Sequence, residues 1–181
     1  SGLSSVRVDD VAAASSAVYH LLHQGHEKIV MIAGFDDDSD FGFASSRDRQ
    51  LGFRQAMESG GLPVGAQGIE GGAQAMTDLL AGPRLPTAIV AEYDELAIGA
   101  LRTLRRAGIG VPERISVVGI DDHEMSSVVE LTTVAQPVRE EGATAAQLLL
   151  DTVHGRLPTP VDEVLPTRLV VRGSTGSPVV Q

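Results

Sequence analysis

The 181-residue sequence has no cysteine. That excludes disulfide staples, catalytic thiols and thiolate-held metals, and it suits a reducing compartment. Tryptophan is absent and aromatics make up only 3%, so any core must be packed from aliphatic side chains. Basic residues are outnumbered, 14 Lys and Arg against 24 Asp and Glu, for a net charge of −10. A surface this acidic repels phosphate backbones, so this chain is not expected to grip nucleic acid itself. No apolar run approaches the roughly 20 residues that cross a bilayer, so no membrane partner is expected. The opening Ser1-Gly2-Leu3-Ser4-Ser5 has neither the basic end nor the apolar run of a signal peptide. Ser1-Gly2 reads as a cloning remnant, and the natural amino terminus is expected upstream. No G-x-G-x-x-G follows a strand, and neither a Walker A lysine motif nor a G-x-S-x-G elbow occurs. No cofactor and no catalytic residue are therefore expected.

What is present is a packed α/β pattern, with 43% hydrophobic residues. Asp9-Asp10 caps a helix from Val11 to about Gln24, with Val11, Val18, Leu21 and Leu22 on its apolar side and Gly25 ending it. Ile29 to Ala33 is a short continuous apolar run, which suits a strand covered on both faces. A helix from about Ser46 to Ser59 follows, burying Leu51, Phe53, Ala56 and Met57. Then come a weak strand near Val64 to Ile69, a helix from Gly72 to Leu80, a strand at Ala88 to Ala91 and a helix from Asp94 to Ala107. Ile115 to Ile120 is another strand, Val138 to His154 a long helix, and short strands lie near Val164 and from Leu169 to Val171. The tail from Gly173 reads as loose. Strands alternating with helices at this spacing imply a doubly wound parallel sheet. Leu131 to Pro137 is extended and uncapped, and it reads as a loop, an edge strand or a hinge between subdomains.

Ligands of open α/β sheets settle beyond the carboxyl ends of the strands. Those ends are Gly34-Phe35-Asp36, Glu92-Tyr93-Asp94 and Asp121-Asp122-His123, with Arg47 and Arg49 at the start of the helix after the first of these strands. Carboxylates and guanidinium forks facing one crevice suit a small polyhydroxy ligand, because each takes paired hydroxyls. Asp94 is also placed to be an ordinary helix cap. His20, His23 and His26 lack the i, i+4 spacing of helical zinc sites and are expected to be solvated or capping, so no metal is expected. Asp36, Asp37, Asp38 and Asp40 lack the order of a calcium loop and read as solvated. A phosphosugar enzyme using Asp121 with His123 as acid or base is the catalytic alternative.

Several segments, in order, resemble the lactose-repressor (LacI) type of transcription regulator. Leu21 to Ile29 is similar to its "hL…GH..I" run, and Arg47 to Phe53 to its "R.R..GF" helix start. Pro86 to Ile89 with Asp94 to Leu101 resembles "PTAi…D..A.G.l", and Gly108 to Asp122 resembles "G..vP.disvvGfDd". Leu131 to Val134 with Gln136-Pro137, Gly142-Ala143 and Leu148 to Leu150 is similar to the crossover and its helix. Leu169 to Arg172 with Ser174-Thr175 is similar to the closing "LvvR.ST". The resemblance implies a periplasmic-binding-protein-like fold of two Rossmann-like α/β subdomains clasping a small effector, commonly a sugar or nucleobase. It implies, besides, a cytoplasmic homodimer that meets DNA only through an amino-terminal helix-turn-helix absent from this chain. Effector binding then closes the cleft and shifts a DNA-binding equilibrium. Carried over by position, Arg49 grips the effector, Asp121 accepts its hydroxyls, and Gln136 lines the hinge side. Tyr93 stands where the family often has Asn, which favours stacking on a ring or an apolar group. Phe35 and Arg47 complete the expected effector set, and Asp9 or Asp10 is a weaker candidate. By the same resemblance, residues 1–133 are mostly the second subdomain and residues 134–165 a crossover helix and strand of the first. Residues 166–181 are a return strand and tail, and most of the first subdomain has no counterpart here. A secreted solute-binding protein of a transporter is the alternative with the same fold.

Overall fold

A computed structural model describes residues 4–34, 44–62, 67–68, 72–156 and 160–179. The order of elements is β1 (Ser5–Val8), α1 (Asp10–His23), β2 (Ile29–Ile32), α2 (Ala44–Ser59), β3 (Gln67–Gly68), α3 (Gly72–Ala81) and β4 (Ala88–Ala91). It continues with α4 (Asp94–Arg106), β5 (Ser116–Asp121), α5 (Glu124–Val128), β6 (Thr132–Ala135), α6 (Val138–Val153), β7 (Asp162–Leu165) and β8 (Arg168–Val170). The larger sheet runs β3-β2-β4-β5-β6-β8, parallel except for β8, which is antiparallel to β6.

Both faces of this sheet are covered, which is why its strands read as unbroken apolar runs. Ala88 and Val90 of β4 and Val118 and Ile120 of β5 face α1 and α2, meeting Leu21, Phe53 and Met57. Their neighbours Ile89, Ala91 and Val117 face α3 and α4, meeting Met76, Ala100 and Leu104. Asp9 caps α1 by accepting from the Ala12 N–H at 2.9 Å, and Gly25 ends the connection with φ 96°. Successive strands add outward in opposite directions from β2, so strand order reverses between β2 and β4. That is the place where open α/β sheets take ligands.

Several expectations need correction. The stretch Leu131 to Pro137 is neither a loop nor an edge strand: it contains β6, an interior strand with Leu131 to Val134 fully buried, and Val134 and Ala135 still pair with β5, so the chain leaves this sheet only at Gln136. Leu51, expected inside, is 38% exposed, because the apolar stripe of α2 falls on Phe53, Ala56 and Met57 instead. β1 has no predicted counterpart: four residues are too few for a periodic signal, and it pairs in parallel with β7, not with the larger sheet. The small β1–β7 sheet carries α6, in which no residue is buried; Val138, Leu149, Leu150 and Val153 are exposed.

A further correction concerns the tail, which is a strap and not loose. Ser174 and Thr175 are buried, with the Ser174 hydroxyl donating to the Val117 carbonyl at 2.6 Å and accepting from the Thr132 N–H at 2.8 Å. His26, expected to be solvated or capping, is 2% exposed; its Nε2–H donates to the Gly176 carbonyl at 2.8 Å and its Nδ1 meets the Thr87 hydroxyl. His20 meets Thr175 at 2.9 Å. Burial holds both imidazoles below the usual histidine range. A group whose folded pKa is depressed adds stability above its unfolded pKa and loses it as pH falls. The thermal stability of the wild type should therefore fall on acidification below about pH 6.5, and His26→Gln should flatten part of that fall. Parallel pH curves for the two proteins would disprove a titrating strap.

Candidate ligand-binding site

The reversal of strand order brings Arg49 on α2 against the ends of β4 and β5. Arg49 is 8% exposed. Its Nε–H donates to Asp10 Oδ1 at 2.7 Å, Nη1 to the Glu92 carbonyl at 2.7 Å, and Nη2 to Asp121 Oδ1 at 3.2 Å. A guanidinium has five N–H donors, so two remain after these bonds to described residues. Gln136, just past β6, donates from Nε2 to the same Asp121 oxygen. Burying this cation is tolerable because two carboxylates flank it. Asp10, only a weak candidate from sequence, is its closest ionic partner, while Asp9 is spent as the cap of α1.

Asp121 closes β5 with φ 123° and Asp122 follows with φ 57°, a left-handed pair without glycine. Such backbone costs on the order of 1 kcal/mol or more per residue and persists only where neighbours impose it. Burial pushes the Asp121 carboxyl up to about 6, with Asp94 and Glu95 adding to the rise and Arg49 opposing it. Its side chain keeps 32% exposure, which leaves it reachable from the crevice. Tyr93 stands over Gly34 at the end of β2: a methyl group on Gly34 would lie 2.2 Å from the Tyr93 hydroxyl oxygen. Glu92 is 3% exposed and accepts the Gly34 N–H at 2.8 Å, tying the ends of β2 and β4 together.

Of the six residues expected to contact a ligand, Arg49, Asp121 and Gln136 form one hydrogen-bonded set, with Tyr93 following Glu92 at the adjacent strand end. Arg47 is exposed and shares none of these bonds; two residues of helix turn it about 200° from Arg49. Phe35 lies outside the described residues, as does the acidic run Asp36 to Asp40. Asp94 is not the cap that its position suggests. Tyr93 is the N-cap and offers no side-chain bond, while the Asp94 carboxylate is wholly buried. It accepts from the His123 N–H at 2.9 Å and from the hydroxyls of Ser126 and Thr133 at 2.6 and 2.7 Å. His123, the acid or base of the catalytic alternative, caps α5 by accepting from the Met125 N–H. Among the described residues no group of three or more His, Cys, Asp or Glu could hold a metal ion.

The family model for the periplasmic binding protein-like domain matches residues 18–175. The HTH-type transcriptional repressor CytR of Escherichia coli K12 is 36% identical over 96% of this chain and 52% of its own length. A LacI family transcriptional regulator from Enterococcus faecium, solved with bound ribose, is 31% identical with a TM-score of 0.84, over 96% of this chain and 65% of that one. A dimeric lac repressor with an 11-residue C-terminal deletion is 30% identical with a TM-score of 0.88, over 97% and 65%. The chain thus spans about half the length of the curated relatives that it matches.

Proposed function

This chain belongs to the periplasmic-binding-protein-like domain family and is a homologue of LacI-type repressors, and from that premise we propose that it senses a small polar effector, a sugar or a related polyol, for a DNA-binding transcription regulator. The observation that carries this reading is the buried Arg49, with two N–H donors left after its bonds to described residues, held against the reachable carboxylate of Asp121 where the strand order reverses. Arg49 and Asp121 offer a fork of donors and an anionic acceptor a few ångströms apart. That pairing takes the vicinal hydroxyls of a pyranose or furanose, and the Tyr93 ring gives the sugar's apolar face a surface. The similar E. faecium regulator was solved with ribose, in keeping with such a ligand.

In the full regulator the β1–β7 sheet and the apolar face of α6 belong to the first subdomain, and residues 136–165 form the crossover between the two. DNA contact falls to a helix-turn-helix, since a chain of net charge −10 has no use for phosphate. The dimeric lac repressor supports a homodimer, and a regulator working on bacterial DNA is cytoplasmic. The relatives are transcriptional regulators by name, and His123 is occupied as a cap.

Thermal unfolding against sugars, polyols, nucleobases and sugar phosphates tests this reading. A ligand at about 100 times its Kd stabilises the fold by roughly 2.7 kcal/mol. A bound hydroxyl donor holds Asp121 ionised, so affinity should fall as pH drops through about 6 and should vanish as a pH effect in Asp121→Asn. Ligand stabilisation that Asp121→Asn leaves intact, with its pH dependence, places the pocket elsewhere.

A further inference from the structure

Among the described residues the side chains of Asp94, Thr133 and Arg172 share no hydrogen bond with those of Arg49, Asp121 or Gln136, yet all three converge on the left-handed backbone at Asp121-Asp122. We propose that these three are positioning residues: they impose the turn that aims the Asp121 carboxylate at Arg49. The inference rests on the reading of Asp121 as a ligand contact, and it concerns what holds that contact in place.

The chain of contacts is continuous. Asp122 donates its N–H to the Thr133 hydroxyl at 3.3 Å, and that hydroxyl donates onward to Asp94 Oδ1 at 2.7 Å. Asp94 Oδ2 takes the N–H of His123, the next residue of the turn, at 2.9 Å. Asp94 thereby fixes both sides of Asp122, one directly and one through Thr133. Gly119 makes room for it: a methyl group there would stand 2.1 Å from Asp94 Oδ1. From the other side, Arg172 Nη2 pairs with Asp122 Oδ1 at 2.7 Å while its Nη1 donates to the Leu131 carbonyl at 2.8 Å. Arg172 is itself anchored, since its N–H donates to the Thr132 hydroxyl at 3.0 Å. One brace comes from α4, one from β6 and one from the residues leading into the strap. An Asp-Asp pair with two positive φ angles does not hold itself, and an ordinary extended end to β5 would by strand alternation put the Asp121 side chain on the face opposite Ile120, away from Arg49 on α2. The segment Leu169 to Thr175, which the pocket does not explain, gains a role in this way: Arg172 braces the turn and Ser174 and Thr175 seat the segment that carries it.

The test needs no ligand. The Asp121 carboxyl is titrated by carbon-detected NMR in the wild-type chain and in Thr133→Val, Thr133→Ser and Arg172→Gln. Thr133→Val keeps the shape and removes the relaying hydroxyl. Its Asp121 midpoint should fall by about one pH unit or more from about 6, toward the ordinary carboxylate value, as the side chain gains water. Thr133→Ser restores the hydroxyl and should restore the midpoint, which a general loss of stability would not do. Arg172→Gln, at a partly solvated position, should shift the midpoint the same way and covers the case of a Thr133→Val chain that does not fold. A midpoint that stays near 6 or rises in the folded variants overturns the inference. The effector reading fails on different data, namely ligand binding that survives loss of Arg49.

Discussion

Arg49→Ala is expected to lower the unfolding free energy by about 2–4 kcal/mol and to weaken effector binding by about 10- to 150-fold. The first figure follows from the two carboxylates that Arg49 serves. Removing one partner of a fully buried ion pair costs about 3–5 kcal/mol, because the other charge is left unpaired. Asp10 is 15% exposed at its side chain and Asp121 32%, so water relieves part of that penalty here. The second figure corresponds to about 1.5–3 kcal/mol for a charge-assisted contact to a polar ligand. The two losses separate in Arg49→Lys, which keeps the charge near Asp10 and loses the fork: stability should recover more than affinity does. The stability loss should also depend on pH. Arg49 is the group that opposes the rise of Asp121, so its removal drives that carboxyl still higher. A group with a raised folded pKa contributes stability at low pH and loses it as pH climbs through that pKa. The deficit of Arg49→Ala relative to wild type is therefore largest above about pH 6 and narrows on acidification. Denaturant unfolding at pH 5 and pH 7.5, with isothermal titration of a panel hit, measures both effects. A variant of wild-type stability at pH 7.5 would mean that Arg49 does not bridge the two carboxylates.

Much of this site was legible in the residues because each strand ends in a chemically distinctive pair. Arg49, Asp121 and Gln136 stand in ordered motifs, and the α/β alternation puts them at one rim. What escaped was whatever depends on a partner distant in sequence. Asp94 obeys the local rule for a helix cap, and nothing in its neighbourhood shows that Thr133 and Ser126, more than thirty residues on, offer it hydroxyls in a buried pocket. His26 follows a helix-ending glycine and reads as solvated; only the return of the tail, at Gly176, buries it. The strand near Val164 was readable as β7, but β1 is only four residues and its pairing with β7 spans most of the chain, too short and too remote for periodicity to find. Asp10 looked like one of two interchangeable caps. The helix start assigns them, with Asp9 bonded to its own backbone and Asp10 turned to α2.

That last contact depends on how closely α1 and α2 approach, and a single glycine sets the distance. Gly52 lies inside α2, where glycine normally costs about 1 kcal/mol relative to alanine. Propensity alone therefore predicts that Gly52→Ala stabilises the protein. The structure predicts the reverse: a methyl group at Gly52 would lie 2.2 Å from the Val11 carbonyl oxygen and 2.9 Å from its carbon. Both colliding parts are backbone, so no rotamer change relieves the clash, and the helices must separate. Ser15 also donates to the Gly52 carbonyl at 3.1 Å, a bond that separation would stretch. We expect Gly52→Ala to cost about 3 kcal/mol, the upper part of the range for overpacking, or roughly 6–12 °C in melting temperature for a chain of this size. Gly142→Ala is the matched control. It makes the same chemical change in the interior of α6, where a methyl group would meet nothing within 4 Å, and it should stabilise by a few tenths to 1 kcal/mol. Opposite signs for the two substitutions would establish close approach, not helix propensity, as the reason for Gly52. Because Asp10 starts α1 and Arg49 precedes Gly52 by less than one turn, moving the helices apart also pulls Asp10 from Arg49. Gly52→Ala should consequently lose effector affinity although its own backbone faces α1 and not the crevice. If it melts early yet binds with undiminished affinity, the Asp10–Arg49 pair is dispensable to the pocket, and the Glu92 carbonyl and Asp121 suffice to orient the guanidinium.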